Sequence, residues 1–192
     1  RGLGDVYKRQ LNPLEAKLIG ISLCYKEGIS YYVSMAHNSG KNVSLEKSLK
    51  KLKIILEDKS IKKIGQNIKY DIMVLKKYGI QINPFEDTML LSYTLDAGLN
   101  RHNLDLLSEI HLGHKTIQYK DLVGSGKKKL NFNEVDIKKA TEYAAEDAEI
   151  TYKLFKILSK RVFHEKNKFV YESIEKPLIK AILKMEMNGI KV

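Results

Sequence analysis

The sequence predicts an α/β fold in which a sheet comes first and helices follow. Two runs rich in β-branched and aromatic residues, 17–25 and 29–35, flank a short turn at 26–28, which is typical of an antiparallel hairpin. The short run Lys62-Lys-Ile-Gly-Gln66 is interpreted as a buried strand that leads into a helix. Beyond it, apolar residues recur mostly at helical spacing.

One helix is predicted before this buried strand and one after it. The second is expected from about Ile68 to Tyr78, with Asn67 as its cap and Gly79 at its end. Asp71 therefore lies in its first turn. Ser44 can cap the first helix, in which apolar residues form one stripe: Leu45, Leu49, Leu52, Ile55 and Leu56.

The middle of the chain is predicted to be largely helical. Pro84 interrupts the chain before a helix expected at 87–95, and another short apolar helix is expected at 104–110. Residues 124–129 have the composition of a loop with a positively charged tip.

Two further helices are predicted near the end of the chain. Asn133 can cap a long helix that reaches about Phe163, and Pro177 opens an amphipathic helix that runs through Met187. The long helix has a face of mostly small residues that permits close approach to a sheet or a ligand: Ile137, Ala140, Ala144 and Ala148.

The composition bounds the class of protein. With 192 residues, of which 43% are hydrophobic and 30% charged, the chain is typical of one well-buried domain rather than a disordered segment. A single cysteine, Cys24, excludes an internal disulfide and a cysteine zinc site, which suits a reducing cytosol. No apolar run approaches the roughly 18 residues of a membrane span, and no signal peptide is visible. We therefore expect a cytoplasmic protein without a membrane partner.

The charge of the chain points to a class of partner. A formal net charge of +11 at pH 7 favours a polyanion such as nucleic acid. A lysine-rich solvated surface would give the same charge, so charge alone leaves both interpretations open.

Residues 1–10 need separate treatment. The run from Asp5 to Gln10 resembles the translation of a transposon-end adapter used in sequencing libraries, and we interpret residues 1–10 as a non-native segment. The chain remains basic when they are left out.

Three residues indicate a possible chemistry. Tyr143 and Asp147 are four positions apart, so a helix places them on one face, and Asp71 lies on another predicted helix. A nuclease that uses two divalent ions needs carboxylates from separate elements and a group that orients the attacking water. Taken singly, these residues have simpler interpretations, because an acid is favoured in the first turn of any helix and a Tyr–Asp pair is commonly a surface pair.

The order of the motifs is more specific than any one of them. Residues 11–192 resemble the proofreading 3′–5′ exonuclease domain of bacterial DNA polymerase I, a member of the DEDD superfamily with tyrosine in its third motif. The tail from Glu175 to Val192 resembles the segment that passes into the polymerase domain, which argues against ribonuclease D. The motifs, in order, are 65–71, 87–88, 101–105, 115–119 and 143–147.

This resemblance implies a fold and a domain organisation. The expected architecture is an RNase H-like mixed sheet flanked by helices. The exonuclease domain would cover residues 11–165, and residues 166–192 would form a helical lead-in to a polymerase domain that this chain does not include.

The resemblance also implies a catalytic site. Asp71 and Asp147 would be metal ligands, and Tyr143 would orient the attacking water, so these three are the expected catalytic residues. Two Mg²⁺ or Mn²⁺ ions would act in the complete site, which has four acids.

Substrate contacts are implied around the same motifs. Arg101 would bind a phosphate. Beside the second motif, the expected contacts are Gln66, Asn67 and Tyr70. Leu104, Tyr119 and Leu11 would lie against splayed terminal bases, where stacking and wedging tolerate any base. The simplest alternative for Leu11 and Leu104 is that they are core residues.

The first motif of the family, Asp-x-Glu on the first strand, is broken in this chain. An ungapped match places Asp5 at the position of the aspartate and Tyr7 at that of the glutamate. We therefore expect the first strand to be largely missing or replaced, and the fragment to have weak activity or none.

The implied partners are a single-stranded or frayed DNA 3′ end and a polymerase domain in cis, with the protein a monomer in the bacterial cytoplasm, associated with the nucleoid. Two alternatives stay open. The domain could be a non-catalytic DNA-binding or scaffolding module of the polymerase, or an RNA exonuclease similar to ribonuclease D.

Overall fold

A computed structural model describes residues 15–126 and 129–189, together with the backbone of Gly2–Lys8. The strands are β1 (Gly2–Lys8), β2 (Leu18–Lys26), β3 (Ile29–Ser34), β4 (Lys63–Gly65) and β5 (Phe85–Asp87). The helices are α1 (Leu45–Glu57), α2 (Ile68–Lys76), α3 (Thr88–Asp96), α4 (Leu104–Leu112), α5 (Tyr119–Val123), α6 (Ile137–His164), α7 (Lys168–Val170) and α8 (Lys176–Asn188). A 3₁₀ turn precedes α6 at Phe132–Glu134, and a π-helical turn, Tyr171–Glu175, joins α7 to α8.

The strands pair in two ways, so the sheet is mixed. β1, β2 and β3 form an antiparallel sheet in that order, while β4 and β5 form a parallel pair. β1 lies beside β4, which places the two groups of strands next to each other. This arrangement confirms the predicted mixed sheet flanked by helices, and it confirms the hairpin, since β2 and β3 are joined by a turn at Glu27–Gly28.

The first strand was predicted to be largely missing or replaced. The structure has a strand at this place, because the backbone of Gly2–Lys8 pairs with β2 over five register positions. Antiparallel pairing uses backbone N–H and C=O groups, and every residue except proline offers both, so this pairing does not depend on particular side chains. Register shifts between Leu3 and Val6, and between Tyr7 and Lys8, make the pairing irregular.

The long helix α6 packs against the sheet through its small residues. Ala140, Ala144 and Ala148 are fully buried, as the predicted small face requires. The helix contacts β1, β2, β3 and β4, and on another side it packs against α3 and α4. A cluster with α1, α2 and α8 forms the largest part of the core, and includes Leu56, Val74 and Leu75.

Of two predicted helix caps, that of α6 at Asn133 is wrong, and that of α2 at Asn67 is right in position only. Asn133 lies in the 3₁₀ turn and is buried, with its side-chain amide donating to Asn38, while Asp136 caps α6. Asn67 begins α2 but makes no side-chain capping bond. The cap at Ser44 is confirmed, because its hydroxyl accepts the N–H of Lys47.

The C-terminal helices also differ from the expected single amphipathic helix. Pro177 lies in the first turn of α8, as predicted, but helical backbone already begins at α7 and continues through the π turn. Two short elements, β5 and α5, were not predicted at all. Within the described part of the chain, no helix is both long enough and apolar enough to cross a membrane.

Candidate active site

Asp71 is held where β4 turns into α2. β4 ends at Gly65, and α2 begins three residues later at Ile68, so Asp71 falls in the first turn of the helix. A side chain on Gly65 would collide with Ile68, since an added Cβ would lie 2.9 Å from its side chain. Asp71 itself is 2% exposed. A carboxylate buried this far requires a compensating partner, either polar groups of the protein or a cation.

Tyr143 and Asp147 lie on α6, as their spacing predicts. Asp147 is 5% exposed and Tyr143 is half-buried. Both helices that carry the carboxylates, α2 and α6, contact the backbone of β1. The two buried aspartates therefore come from separate elements that border one strand, and that strand is the one on which the sequence places Asp5 and Tyr7.

An aromatic group surrounds Tyr143. The ring of Tyr119 lies 5.9 Å from that of Tyr143, and Phe132 lies 6.3 Å from Tyr143 and stacks on Tyr119 at 6.4 Å. Partial burial of Tyr119 raises the pKa of its hydroxyl. The side chain is still 40% exposed, and the ammonium of Lys129 lies 6.0 Å from the centre of its ring. Phe132 was not predicted, because nothing in its local sequence distinguishes it from a core residue.

Glu146 fixes the loop that leads to Tyr119. Its carboxylate accepts the N–H of Ile117 at 2.8 Å and pairs with the imidazole of His114, also at 2.8 Å. These contacts tie the segment between α4 and α5 to the helix that carries Tyr143. Sequence reasoning missed this role, because Glu146 stands beside Asp147 with no pattern of its own.

Gln66 connects two of the expected substrate-binding segments. Its side-chain N–H donates to the carbonyl of His102 at 2.7 Å, and its carbonyl oxygen accepts the hydroxyl of Thr88. The amide is thus bonded at both ends within the protein. The bond to His102 brings the start of α2 next to the segment that begins at the exposed Arg101.

The other residues expected to contact substrate differ in their surroundings. Tyr70 and Leu104 are half-buried, and each packs against a core cluster, as the simpler interpretation of Leu104 requires. Asn67 is also half-buried. Leu11 lies outside the described residues. The structure therefore places Tyr119 against Tyr143, and Gln66 against the segment of Arg101. The substrate contacts expected of Tyr70, Leu104, Asn67 and Leu11 stay predictions.

The donor set fits a hard divalent cation in part. Asp71 and Asp147 offer buried carboxylate oxygens, which Mg²⁺ and Mn²⁺ prefer as ligands. Among the residues that the structure describes, no three histidine, cysteine or acidic side chains group closely enough to hold an ion. Two carboxylates are half of the four expected.

Comparison with known proteins gives a consistent result. The sequence profile of a 3′–5′ exonuclease family, that of A-type DNA polymerases, matches residues 7–162. DNA polymerase I of Rhizobium leguminosarum is 40% identical over 208 residues, covering 98% of this chain and 20% of the relative. DNA polymerase I of Borreliella burgdorferi is 36% identical and covers 97% of the chain. The chain thus spans about a fifth of the length of these relatives.

Solved structures show the same fold at low sequence identity. The nuclease NrnC of Brucella melitensis has a TM-score of 0.74 at 20% identity, over 98% of this chain and 84% of that one. Pol1 of M. smegmatis, solved in complex with a DNA primer-template and dNTP, has a TM-score of 0.74 at 16% identity, over 99% of this chain and 29% of that one.

Proposed function

Because the chain belongs to the 3′–5′ exonuclease family of A-type DNA polymerases, we propose that it is built to hydrolyse the terminal phosphodiester at a DNA 3′ end, as the proofreading domain of a DNA polymerase I. One observation carries the proposal. Asp71 and Asp147 are buried carboxylates on two helices that both border β1, and Tyr143 lies one turn before Asp147.

Asp71 and Asp147 would hold the catalytic cations. When bound, two divalent ions activate a water and stabilise the leaving 3′ oxygen. The family relationship supports metal dependence, and the buried acids supply oxygen ligands of the required kind. We propose that two ions bind, either Mg²⁺ or Mn²⁺.

The other residues would bind and orient the substrate. The Tyr143 hydroxyl would form a hydrogen bond with the attacking water and hold that water in line with the phosphorus. The partly exposed ring of Tyr119, which stacks on Phe132, would contact a terminal base. Arg101 would pair with a phosphate of the frayed strand.

The first motif limits the activity of this chain. The ungapped match has Tyr7 in place of the first-motif glutamate, so the family pattern of four acids is incomplete in this chain. A phenol is a poorer ligand for Mg²⁺ than a carboxylate is. We therefore propose that the unsubstituted chain is weak or inactive, and that the defect lies in its chemistry, since the strand backbone is in place.

Degradation of 5′-labelled strands tests the proposal, because the 5′ label stays on the shortened products. The chain with Tyr7→Glu should shorten single-stranded DNA one nucleotide at a time from the 3′ end in Mg²⁺, and Asp147→Ala should abolish this. Faster cleavage of RNA of the same sequence would favour the ribonuclease D-like alternative. No cleavage and no calorimetric uptake of Mn²⁺ would favour a non-catalytic module attached to a polymerase domain.

A further inference from the structure

The start of α2 is not closed by its own residues. Asn67 has a φ of 56°, in the left-handed region that is uncommon for residues other than glycine, and its side chain makes no capping bond. The first backbone N–H groups of a helix have no partner within the helix. The turn that carries Asp71 therefore depends on acceptors from elsewhere in the fold.

Asp87 supplies these acceptors from the end of β5. Its Oδ1 accepts the N–H of Asn67 at 3.0 Å, and its Oδ2 accepts the N–H of Ile68 at 3.0 Å. Oδ1 also accepts the N–H of Met89 at 2.9 Å, so one carboxylate closes the first turns of both α2 and α3. Asp87 is 1% exposed. The positive ends of two helix dipoles stabilise its charge at this buried position.

Tyr171 holds the strand that carries Asp87. Its hydroxyl accepts the N–H of Asp87 at 3.2 Å and donates to Oε2 of Glu86 at 2.7 Å. The ammonium groups of Lys62 and Lys176 bind Oε1 of Glu86 at 3.1 and 3.0 Å. Tyr171 belongs to the π-helical turn after α7 and is buried. The C-terminal helical segment thus braces the strand that closes α2.

We propose that Asp87 is a positioning residue of the exonuclease site, which sets the orientation of Asp71 by closing the first turn of α2. The inference rests on the function proposed above. Asp71 is three residues after Ile68, so a change in the first turn would displace its carboxylate directly. A misplacement of about 1 Å lowers the rate of an enzyme by roughly 10²-fold.

The test compares Asp87→Asn with its parent in the 192-residue chain that also carries Tyr7→Glu. Asparagine keeps the size of the side chain but replaces one acceptor oxygen with an N–H donor, so it cannot accept all three backbone N–H groups. We expect kcat on 5′-labelled DNA to fall at least tenfold with KM within about twofold, and the affinity for Mn²⁺ to fall roughly 10- to 100-fold. Both are measured at a temperature at which near-UV circular dichroism shows a folded protein.

Ser44→Ala is the matched control. It removes a helix cap from α1, which carries no proposed site residue, so it should lower stability without changing kcat or the affinity for Mn²⁺. Tyr171→Phe should lower kcat in the same direction as Asp87→Asn, but less. A folded Asp87→Asn variant with unchanged kcat and Mn²⁺ affinity would overturn the inference, and so would an equal loss in Ser44→Ala.

Hydrogen exchange separates this inference from the proposed function. In the chain without Tyr7→Glu, Asp87→Asn should reduce the protection of amides 67–71, and Ser44→Ala should not. If the Tyr7→Glu chain binds no Mn²⁺ and cleaves no DNA, the proposed function fails and the exchange pattern alone decides the positioning role. Unchanged protection at 67–71 would then overturn it.

Discussion

The two helices that carry the proposed metal ligands begin in different ways. α6 is capped by Asp136, an exposed neighbour in sequence whose Oδ1 accepts the N–H groups of Lys138 and Lys139. α2 is closed by Asp87, a buried residue 20 positions from Asn67. One helix is completed by its own sequence and the other by the tertiary fold.

This difference shows how the two aspartates depend on the rest of the molecule. α6 has 28 residues, and Asp147 lies near its middle, far from the ends at which helices fray. α2 has nine residues, too few to be stable as a separate helix. We therefore expect the position of Asp71 to respond to changes in β5 and the C-terminal helices, and that of Asp147 to respond much less.

The largest expected loss of activity comes from removing the proposed metal ligand of either helix. In the chain with Tyr7→Glu, Asp71→Ala and Asp147→Ala should each lower the rate of DNA degradation by at least about 10²-fold, because even a lost partner of a metal ligand lowers activity by roughly 10- to 100-fold. Gel assays with 5′-labelled DNA measure this. Asp58→Ala, in an exposed turn after α1, should leave the rate unchanged. A large difference between the two aspartates would show that the helices do not share one site.

The next largest loss of activity is expected from a change on α6 alone. Tyr143→Phe should lower kcat by roughly 10²-fold with little change in KM, because it removes the hydroxyl that orients the attacking water and keeps the ring that packs against Tyr119. Single-turnover kinetics with saturating enzyme checks this. Tyr152→Phe on the same helix is the control, and an equal loss there would contradict the role of Tyr143.

Stability measurements test the two caps directly. Asp87→Ala should lower the free energy of unfolding by about 3 kcal/mol, because it leaves the buried N–H of Ile68 and its neighbours without an acceptor. Asp136→Ala should lower it by about 1 kcal/mol, the usual effect of losing an exposed cap. Urea denaturation gives both values. Equal losses would remove the distinction between the two helix starts.

A smaller effect is expected from pH. Burial raises the pKa of Asp87 to about 6, against the opposing effect of its backbone hydrogen bonds. Because the folded state then binds a proton more readily than the unfolded state, the stability linked to Asp87 is full below the unfolded pKa and is lost as the pH rises through about 6. Relative to Asp87→Asn, the unsubstituted chain should lose roughly 2 kcal/mol between pH 4.5 and pH 7. A relative gain over this range would contradict the raised pKa.

Local sequence patterns predicted the elements that are completed locally. The β2–β3 hairpin, the cap at Ser44 and the shared face of Tyr143 and Asp147 depend on neighbours within a few residues, and all three are confirmed. The small face of α6 was also predictable from spacing.

Features that depend on distant residues were not predictable in this way. Asn67 and Asn133 have the side chains of good caps, but Asp87 closes α2 from another strand, and Asp136 is nearer the true start of α6. The substrate role predicted for Gln66 stays a prediction, since its amide is bonded to His102 and Thr88. The strand at Gly2–Lys8 forms through backbone pairing, which a pattern of apolar residues does not reveal.

We infer that this chain has the framework of an exonuclease but lacks the glutamate of the family pattern on its first strand. The most direct measurement compares the rate at which the unsubstituted chain and the Tyr7→Glu chain release the 3′-terminal nucleotide from single-stranded DNA in Mg²⁺. We predict a rate for Tyr7→Glu that is at least tenfold higher, and lost again with Asp147→Ala. Robust cleavage by the unsubstituted chain, with no gain from Tyr7→Glu, would contradict the account.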